Sequence, residues 1–335
     1  MEKELLTQSG LKLYLTCSKK WDYRQEQSLV PLEEAPALRF GSSYHDILEL
    51  RNTGHDLKEC IFSLEETYAD REMDESGKMI SEFCCLVGMT VAYFNRYPLE
   101  DEEFTFEKVE SKIKAPLINP DTQRASRSFD FSGKCDGVVK DKETGKLSLY
   151  ELKTSSQIDR AYILKVASFD VQCAIYTHHL NLDSVIYDVV KKPTIKRKKS
   201  VKVYDEIQEF KKDGEPKKNK TKILKEERPE SEEEYIKRIA SWYEIDTDDK
   251  LCRLSLVVTE QDKLRAMRTL WSVSQKILHD RRDSFFIQNA GSCEKWGRFC
   301  EYYDICTSHE SEIIKQNQFK TREINSELTD KKPVF

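Results

Sequence analysis

A short segment in the middle of the chain places an acid and an amine on one face of a predicted strand. In LYELKTSS (149–156), Glu151 and Lys153 are two positions apart, and alternate residues of a strand point to the same side. The polar segment DKETGK (141–146) is typical of a hairpin turn, and a symmetric hairpin would place Asp136 directly across from Glu151. Two opposed carboxylates repel each other. The pattern therefore predicts a divalent cation, Mg²⁺ or Mn²⁺, between them.

Lys153 would lie beside that cation. Because a nearby cation and partial desolvation both lower the pKa of an amine, we expect Lys153 to orient or deprotonate an attacking water. The alternative is a solvent-exposed ion pair between Glu151 and Lys153 on an edge strand.

Two predicted helices carry further polar side chains. In RFGSSYHDILEL, His45 precedes Glu49 by one turn of the predicted helix. A long helix over 159–180 places Gln172 and Tyr176 one turn apart on one face. The alternatives are a core histidine and an ordinary amphipathic helix, in which Tyr162, Phe169 and Ile175 supply core contacts.

The elements around these residues predict an α/β protein. A helix near 77–97 precedes a β-rich region from 104 to 154, and the helix over 159–180 leads into a strand at 183–192. This order predicts a mixed central sheet flanked by helices. A further long helix is predicted from about 260 to 288.

The charge distribution restricts where a polyanion can bind. The 335 residues carry 55 Lys and Arg against 60 Asp and Glu, a net charge of −5, so a nucleic acid must meet a local basic patch. A composition break at about 191–230 begins with such a patch, which is predicted to contact DNA, or else to be a solvated loop. Its basic residues are Lys191, Lys192, Lys196, Arg197, Lys198 and Lys199.

The motif order resembles a known nuclease family. Asp136, fourteen residues and then Glu151-Leu152-Lys153 resemble the D…ExK core of the PD-(D/E)XK nuclease superfamily. His45 in FGSSYHDILE resembles the upstream histidine motif of the RecB-like branch, and the QCAIY segment matches the QxxxY motif of that branch. The branch includes the RecB and AddB nuclease domains, the CRISPR-associated spacer-acquisition nuclease and many bacteriophage exonucleases.

The resemblance implies a restriction-endonuclease-like core and a role for each matching residue. The metal ligands would be His45, Asp136, Glu151 and the Leu152 backbone carbonyl. His45 would bind as a neutral imidazole, and Glu49 would orient it from one turn away. Lys153 would assist the attacking water, while Gln172 and Tyr176 would position that lysine or the DNA backbone. The implied catalytic set is Asp136, Glu151, Lys153, Gln172 and Tyr176.

The cysteines match an iron–sulfur subfamily of the same branch. Its layout, one cysteine before the histidine motif and three after the QxxxY helix, is similar to Cys17 followed by Cys293, Cys300 and Cys306. This likeness implies a 4Fe-4S cluster that joins the N- and C-terminal segments. The gap between Cys293 and Cys300 is wider than usual, and Zn²⁺ is the alternative occupant. The other six are expected to be buried hydrophobes: Cys60, Cys84, Cys85, Cys135, Cys173 and Cys252.

These observations predict one nuclease domain over residues 1–306, followed by a mobile tail at 307–335. Its parts would be a core at about 35–190, the basic insertion at about 191–230, and a helical, cysteine-rich part at 231–306. The expected function is a single-strand-preferring DNA exonuclease in recombination, repair or replication, encoded by a phage or prophage and working with recombination or replication proteins. A CRISPR spacer-acquisition-type nuclease and a catalytically idle iron–sulfur DNA-binding module are the alternatives. Since MEKELLTQSG is not a leader and the longest apolar run is short, we expect a cytoplasmic location in a bacterial or phage-infected cell and no membrane contact.

Overall fold

The computed structural model describes residues 3–32, 36–207, 221–295, 297–309, 311–323 and 328. The strands are β1 (Glu4–Thr7), β2 (Leu29–Pro31), β3 (Phe104–Ile118), β4 (Ala125–Asp141), β5 (Leu147–Ser155), β6 (Ser184–Lys191), β7 (Val201–Ile207), β8 (Thr221–Arg228), β9 (Leu251–Val257), β10 (Glu294–Lys295), β11 (Arg298–Phe299) and β12 (Phe319–Thr321). The α-helices are α1 (Gln8–Thr16), α2 (Ser18–Trp21), α3 (Pro36–Asn52), α4 (Leu57–Thr67), α5 (Lys78–Arg96), α6 (Arg160–Ala167), α7 (Val171–Leu180), α8 (Glu232–Glu244), α9 (Glu260–Asp283), α10 (Tyr303–Thr307) and α11 (Ser311–Gln318).

The central sheet is mixed, as the sequence predicts. Its order is β1-β4-β5-β6-β9, and β3 pairs with β4 along the edge that β1 and β5 leave free. The β4–β5 hairpin has the predicted symmetric register, in which Gly137 pairs with Tyr150 and Lys140 with Leu147. Strand β6 runs parallel to β5, and β9 is antiparallel to β6.

The sheet forks along β4. Strand β3 follows one edge of β4 over most of its length. The other edge is shared, because β1 pairs with residues 129–132 and β5 with residues 137–140. Residues 133–136 therefore lie between two diverging strands, and Asp136 is the last of them before β5 begins to pair.

Helices cover both faces of the sheet. The period of two along β5 directs Leu149 into a core cluster with α7 and α9, and directs Tyr150 and Leu152 into a second cluster with α3, α5 and α8. A third, smaller cluster joins Tyr23 near the N-terminus to residues of the C-terminal part. Five of the six cysteines predicted to be buried are buried, and Cys85 is partly exposed.

The single helix predicted over 159–180 is wrong. It is two helices, because the Asp170 carboxylate accepts hydrogen bonds from the first backbone N–H groups of α7, including that of Gln172 at 2.8 Å. Tyr162 and Phe169 are exposed, so the core contacts expected of them in the amphipathic-helix alternative are wrong, whereas Ile175 is buried as that alternative expects. His179 near the end of α7 stacks on Phe131 with ring centroids 5.0 Å apart, and burial lowers its pKa to about 4.

The C-terminal part differs from the sequence predictions in two places. Helix α9 ends at Asp283, five residues earlier than predicted, because Ser284 adopts a left-handed backbone with φ of 52°. Part of the predicted mobile tail is ordered, since β12 pairs with β2 and Phe319 is buried. The remainder of the predicted tail, residues 310, 324–327 and 329–335, lies outside the described residues. No helix in the described ranges has the length and apolar character of a membrane span.

Candidate active site

The fork of the sheet positions Asp136. One oxygen of its carboxylate, Oδ2, accepts a hydrogen bond from the Leu152 backbone N–H at 2.7 Å, and the other, Oδ1, lies 3.4 Å from Nδ1 of His45 on α3. Burial raises the pKa of Asp136, but the imidazole and the backbone N–H outweigh it and hold the pKa below its usual value. Burial likewise lowers the pKa of His45, and the Asp136 carboxylate more than reverses that effect. The predicted ligand role of the Leu152 carbonyl stays a prediction.

An acid that the sequence does not single out joins this pair. Ligand atoms of His45, Glu110 and Asp136 all lie within 4.8 Å of one another. Glu110 forms an ion pair with Lys134, and burial raises the pKa of its carboxyl group. The charge of Glu49, which the sequence predicts to orient His45, acts on both Glu110 and Lys134. One imidazole and two carboxylates form a donor set suited to Mn²⁺ or Mg²⁺.

Glu110 reaches the site through an unusual backbone conformation. The β3–β4 pairs Val109–Gly137 and Ser111–Cys135 place it directly across from the aspartate of the fork. Its φ is 50°, in the left-handed region that a residue with a side chain adopts only at a cost of about 1–3 kcal/mol. Such strained positions concentrate at functional sites, so the conformation is consistent with a ligand role.

Glu151, Lys153 and Gln172 form a second group beside the first. Lys153 Nζ donates a hydrogen bond to Glu151 Oε1, and Gln172 Nε2 donates to the same oxygen at 2.9 Å. Gln172 Oε1 accepts from Lys153 Nζ at 3.5 Å. The carboxylate of Glu151 is 1% exposed, and its Oε2 is buried without a hydrogen-bond partner among the described residues. A buried, unpartnered carboxylate oxygen is costly, which makes it a candidate to accept from a cation.

The direct contact with Glu151 raises the pKa of Lys153. Burial lowers it, but the charge and hydrogen bond of Glu151 outweigh burial, so the pKa is raised above its usual value. Burial in turn raises the pKa of Glu151 to about 7, against the stabilising charge of Lys153. The predicted lowering of the Lys153 pKa requires a bound cation beside the ammonium, and it stays a prediction. Lys153 is a protonated hydrogen-bond donor in this arrangement.

The buried side chain of Tyr176 contacts the sheet at the fork. It is 3% exposed, and its ring packs against Gly133, the first residue of β4 that pairs with neither β1 nor β5. A Cβ atom at Gly133 would lie 2.6 Å from Tyr176 Cε1, so only glycine allows this approach. Tyr176 and Gln172 thus fix α7 against the sheet one turn apart. Their predicted role in positioning the lysine or the DNA backbone stays a prediction.

The four predicted cluster cysteines gather where the two ends of the chain meet. The backbone N–H of Asn289 donates to Cys17 Sγ at 3.4 Å, and Cys300 donates its backbone N–H to the carbonyl oxygen of Cys293 at 2.8 Å. Burial raises the pKa of Cys300 and of Cys306, and the nearby Cys17 raises both further. Four thiols have the donor chemistry of a 4Fe-4S cluster or Zn²⁺, although among the described residues no three of their sulfur atoms lie within 4.8 Å of one another.

Three of the six residues in the predicted basic patch are partly buried. The backbone N–H of Lys192 donates to the carbonyl oxygen of Ser155 at 2.7 Å, which places the patch beside the end of β5, and burial lowers the pKa of the Lys192 side chain. Arg197 donates to the Glu230 backbone oxygen at 2.8 Å, and Lys191 is partly buried. The other three side chains are exposed: Lys196, Lys198 and Lys199. After β7 the predicted insertion continues through residues 208–220, which lie outside the described residues, to β8, with which β7 forms a two-stranded sheet.

The fold and the site together define an α/β protein whose forked sheet gathers carboxylates, a histidine and a lysine. The family model of the PD-(D/E)XK nuclease superfamily matches residues 5–307, and the chain belongs to this superfamily. The predicted restriction-endonuclease-like core is confirmed. Membership implies a nuclease that hydrolyses phosphodiester bonds, with DNA as substrate and divalent metal ions as cofactors.

Other comparisons add little. Among curated proteins, none matches the chain. The chain is similar to a solved structure named "Crystal structure of SSO0001", with 14% identity and a TM-score of 0.22. The similarity covers 62% of this chain and 84% of that chain, and it is too weak to support an argument.

Proposed function

We propose that this nuclease cleaves DNA at the fork of its sheet, with Mg²⁺ or Mn²⁺ held by His45, Glu110, Asp136 and Glu151. The observation that supports the proposal is the convergence of three ligand atoms within 4.8 Å beside a buried carboxylate oxygen of Glu151, which has no hydrogen-bond partner in the described part of the chain. When bound, a divalent cation would lower the pKa of the attacking water and offset negative charge on the phosphate.

The residues of the second group would then act on the substrate. Lys153 is protonated and fixed by Glu151 and Gln172, so its ammonium can donate to the attacking water or to a phosphate oxygen. A positive charge that is already in place stabilises the charge that develops in the transition state without reorganisation. Gln172 holds both partners, because its amide nitrogen donates to Glu151 while its oxygen accepts from Lys153.

The finer assignment is a RecB-like, single-strand-preferring exonuclease acting in recombination, repair or replication. It is supported by the order of His45, Asp136, the ExK triplet and QxxxY, and by the exposed lysines next to β5. The similarity to phage exonucleases favours a phage or prophage source and a cytoplasmic location. The gathering of the four thiols favours a 4Fe-4S cluster at Cys17, Cys293, Cys300 and Cys306, which would hold the two ends of the chain together.

Metal-dependent digestion of DNA tests the function. Single- and double-stranded DNA labelled at the 5′ or the 3′ end is incubated with the wild type, with Lys153→Ala and with the control Lys12→Ala, an exposed lysine on α1. We expect cleavage that requires added Mg²⁺ or Mn²⁺ and that falls by about 100-fold or more in Lys153→Ala only. Full cleavage by Lys153→Ala would refute the site, and DNA binding without any cleavage by the wild type would favour the idle module.

A further inference from the structure

Helix α6 exposes a line of apolar side chains to solvent. Tyr162 and Val166 are one turn apart, and Phe169 follows in the turn that ends the helix, where its N–H donates to the Val166 carbonyl oxygen at 3.1 Å. The three side chains are 66%, 51% and 71% exposed, respectively. We call them the α6 stripe. The adjacent residues Ile163 and Ala167 pack against the core, so the helix is anchored by one side while the stripe remains uncovered.

The stripe lies next to the candidate active site. Helix α6 connects the end of β5, which carries Lys153, to the start of α7, which carries Gln172. Phe169 is three residues before Gln172, and three residues span at most about 10 Å. Because Gln172 contacts Glu151 at 2.9 Å, a strand cleaved at the fork passes close to the stripe.

Cations lie beside the stripe. The segment RAYILKVASF (160–169) contributes Arg160 and Lys165, and the acids on either side of it, Asp159 and Asp170, cap the N-termini of α6 and α7. Arg265 of α9, which also forms an ion pair with Asp262 at 2.8 Å, lies 5.1 Å from the Phe169 ring centroid and donates to the Ser168 carbonyl oxygen at 3.3 Å. Exposed aromatic rings with cations beside them are the chemistry that holds the unstacked bases and the phosphates of single-stranded nucleic acid.

We propose that the α6 stripe is a stacking platform for the bases of single-stranded DNA that enters the fork. The bases of a duplex are stacked on each other and do not offer their faces to the stripe, so the platform favours single strands. The inference rests on the proposed function and adds to it the residues that select the substrate.

Equilibrium binding tests the platform without cleavage. A fluorescently labelled single-stranded oligonucleotide is titrated, in the presence of a chelator, with the full-length wild type, Phe169→Ala, Tyr162→Ala and Phe169→Trp. The matched control is Phe62→Ala, whose ring is 59% exposed on α4. We expect about 5- to 100-fold weaker binding for each alanine variant of the stripe, near wild-type binding for Phe169→Trp, and no change for Phe62→Ala.

An abasic oligonucleotide separates stacking from phosphate contacts. It keeps the phosphates and lacks the bases, so we expect the wild type and Phe169→Ala to bind it equally, with the same salt dependence. Wild-type affinity of Phe169→Ala for the intact strand would overturn the platform, and so would an equal loss for both strands. Concentration-dependent self-association that Phe169→Ala abolishes, with DNA affinity unchanged, would assign the stripe to contact between copies of the chain and also overturn it. A wild type that binds through the stripe but cleaves no DNA would overturn the proposed function alone.

Discussion

The contact between Gly133 and Tyr176 predicts a large effect from one methyl group. In Gly133→Ala the new Cβ would lie 2.6 Å from Tyr176 Cε1 and 2.9 Å from its hydroxyl oxygen, so the ring must move by about 1 Å. Overpacking of this kind costs about 1–3 kcal/mol of unfolding free energy. Because Tyr176 is on α7 one turn after Gln172, the shift also disturbs the 2.9 Å bond to Glu151, and a displacement of about 1 Å in a site costs about 100-fold in rate.

Urea unfolding and a DNA cleavage assay measure the two effects. Gly41→Ala is the control, because a Cβ at that helical position has nothing within 4 Å, and we expect a gain of about 0.5–1 kcal/mol there. Combining Gly133→Ala with Tyr176→Leu removes the clashing ring, so the double variant should be more stable than the sum of the two single changes predicts. A Gly133→Ala protein with wild-type stability and wild-type cleavage would refute the role of this contact.

Three further predictions follow from other parts of the molecule. Burial holds the pKa of His179 at about 4, so below about pH 6.5 the unfolded chain binds a proton at this histidine and the folded chain does not. The free energy of unfolding should therefore fall by about 1–3 kcal/mol between pH 6.5 and 4. Urea midpoints across this range should depend less on pH in His179→Phe, and the same pH dependence as in the wild type would refute the role of His179. Anaerobically purified Cys306→Ser should lack iron and have a melting temperature roughly 5 °C below that of the wild type, whereas Cys85→Ala should keep its iron. A colourless wild-type protein with stoichiometric zinc would exclude the iron–sulfur cluster. Replacing Lys198 and Lys199 with Gln should weaken DNA binding and reduce its salt slope by about 2, and an unchanged slope would make this segment a solvated loop.

The hairpin that carries the motif was predictable because its polar turn and the alternation of side chains along its strands are features of a short stretch of sequence. The polar turn at 142–146 fixes the register of β4 against β5, and with it the closeness of Asp136 to the start of the ExK triplet. The order of His45, Asp136, Glu151 and Lys153 then indicated the family, since the spacing of these residue types is visible in the sequence alone.

Glu110 was not predictable for a physical reason. Its position across from Asp136 depends on the pairing of two long strands, β3 and β4, whose register shifts between Pro116 and Ile118, close to the turn that joins them. Counting residues from that turn without this shift gives Glu110 the wrong partner. The left-handed φ of Glu110 is also unexpected, because glutamate in a strand normally has an extended backbone.

One other prediction failed where local and tertiary effects compete. The apolar spacing continues through 159–180, but Asp170 caps α7 and interrupts the helix. The direct bond between Lys153 and Glu151 likewise depends on the fold, and the lowered pKa predicted for Lys153 beside a cation stays a prediction. Strand β1 has only four residues, too short for a periodic signal.

The central claim is that metal-dependent DNA cleavage takes place at the fork. The most direct test is the cleavage rate of single-stranded DNA as a function of Mn²⁺ concentration for the wild type and for Asp136→Asn, with unfolding measured on the same preparations. We predict a saturable dependence on the metal that EDTA abolishes, and a loss of about 100-fold or more in the variant while it remains folded. Cleavage by Asp136→Asn at the wild-type rate, or wild-type cleavage that persists in EDTA, would contradict the account.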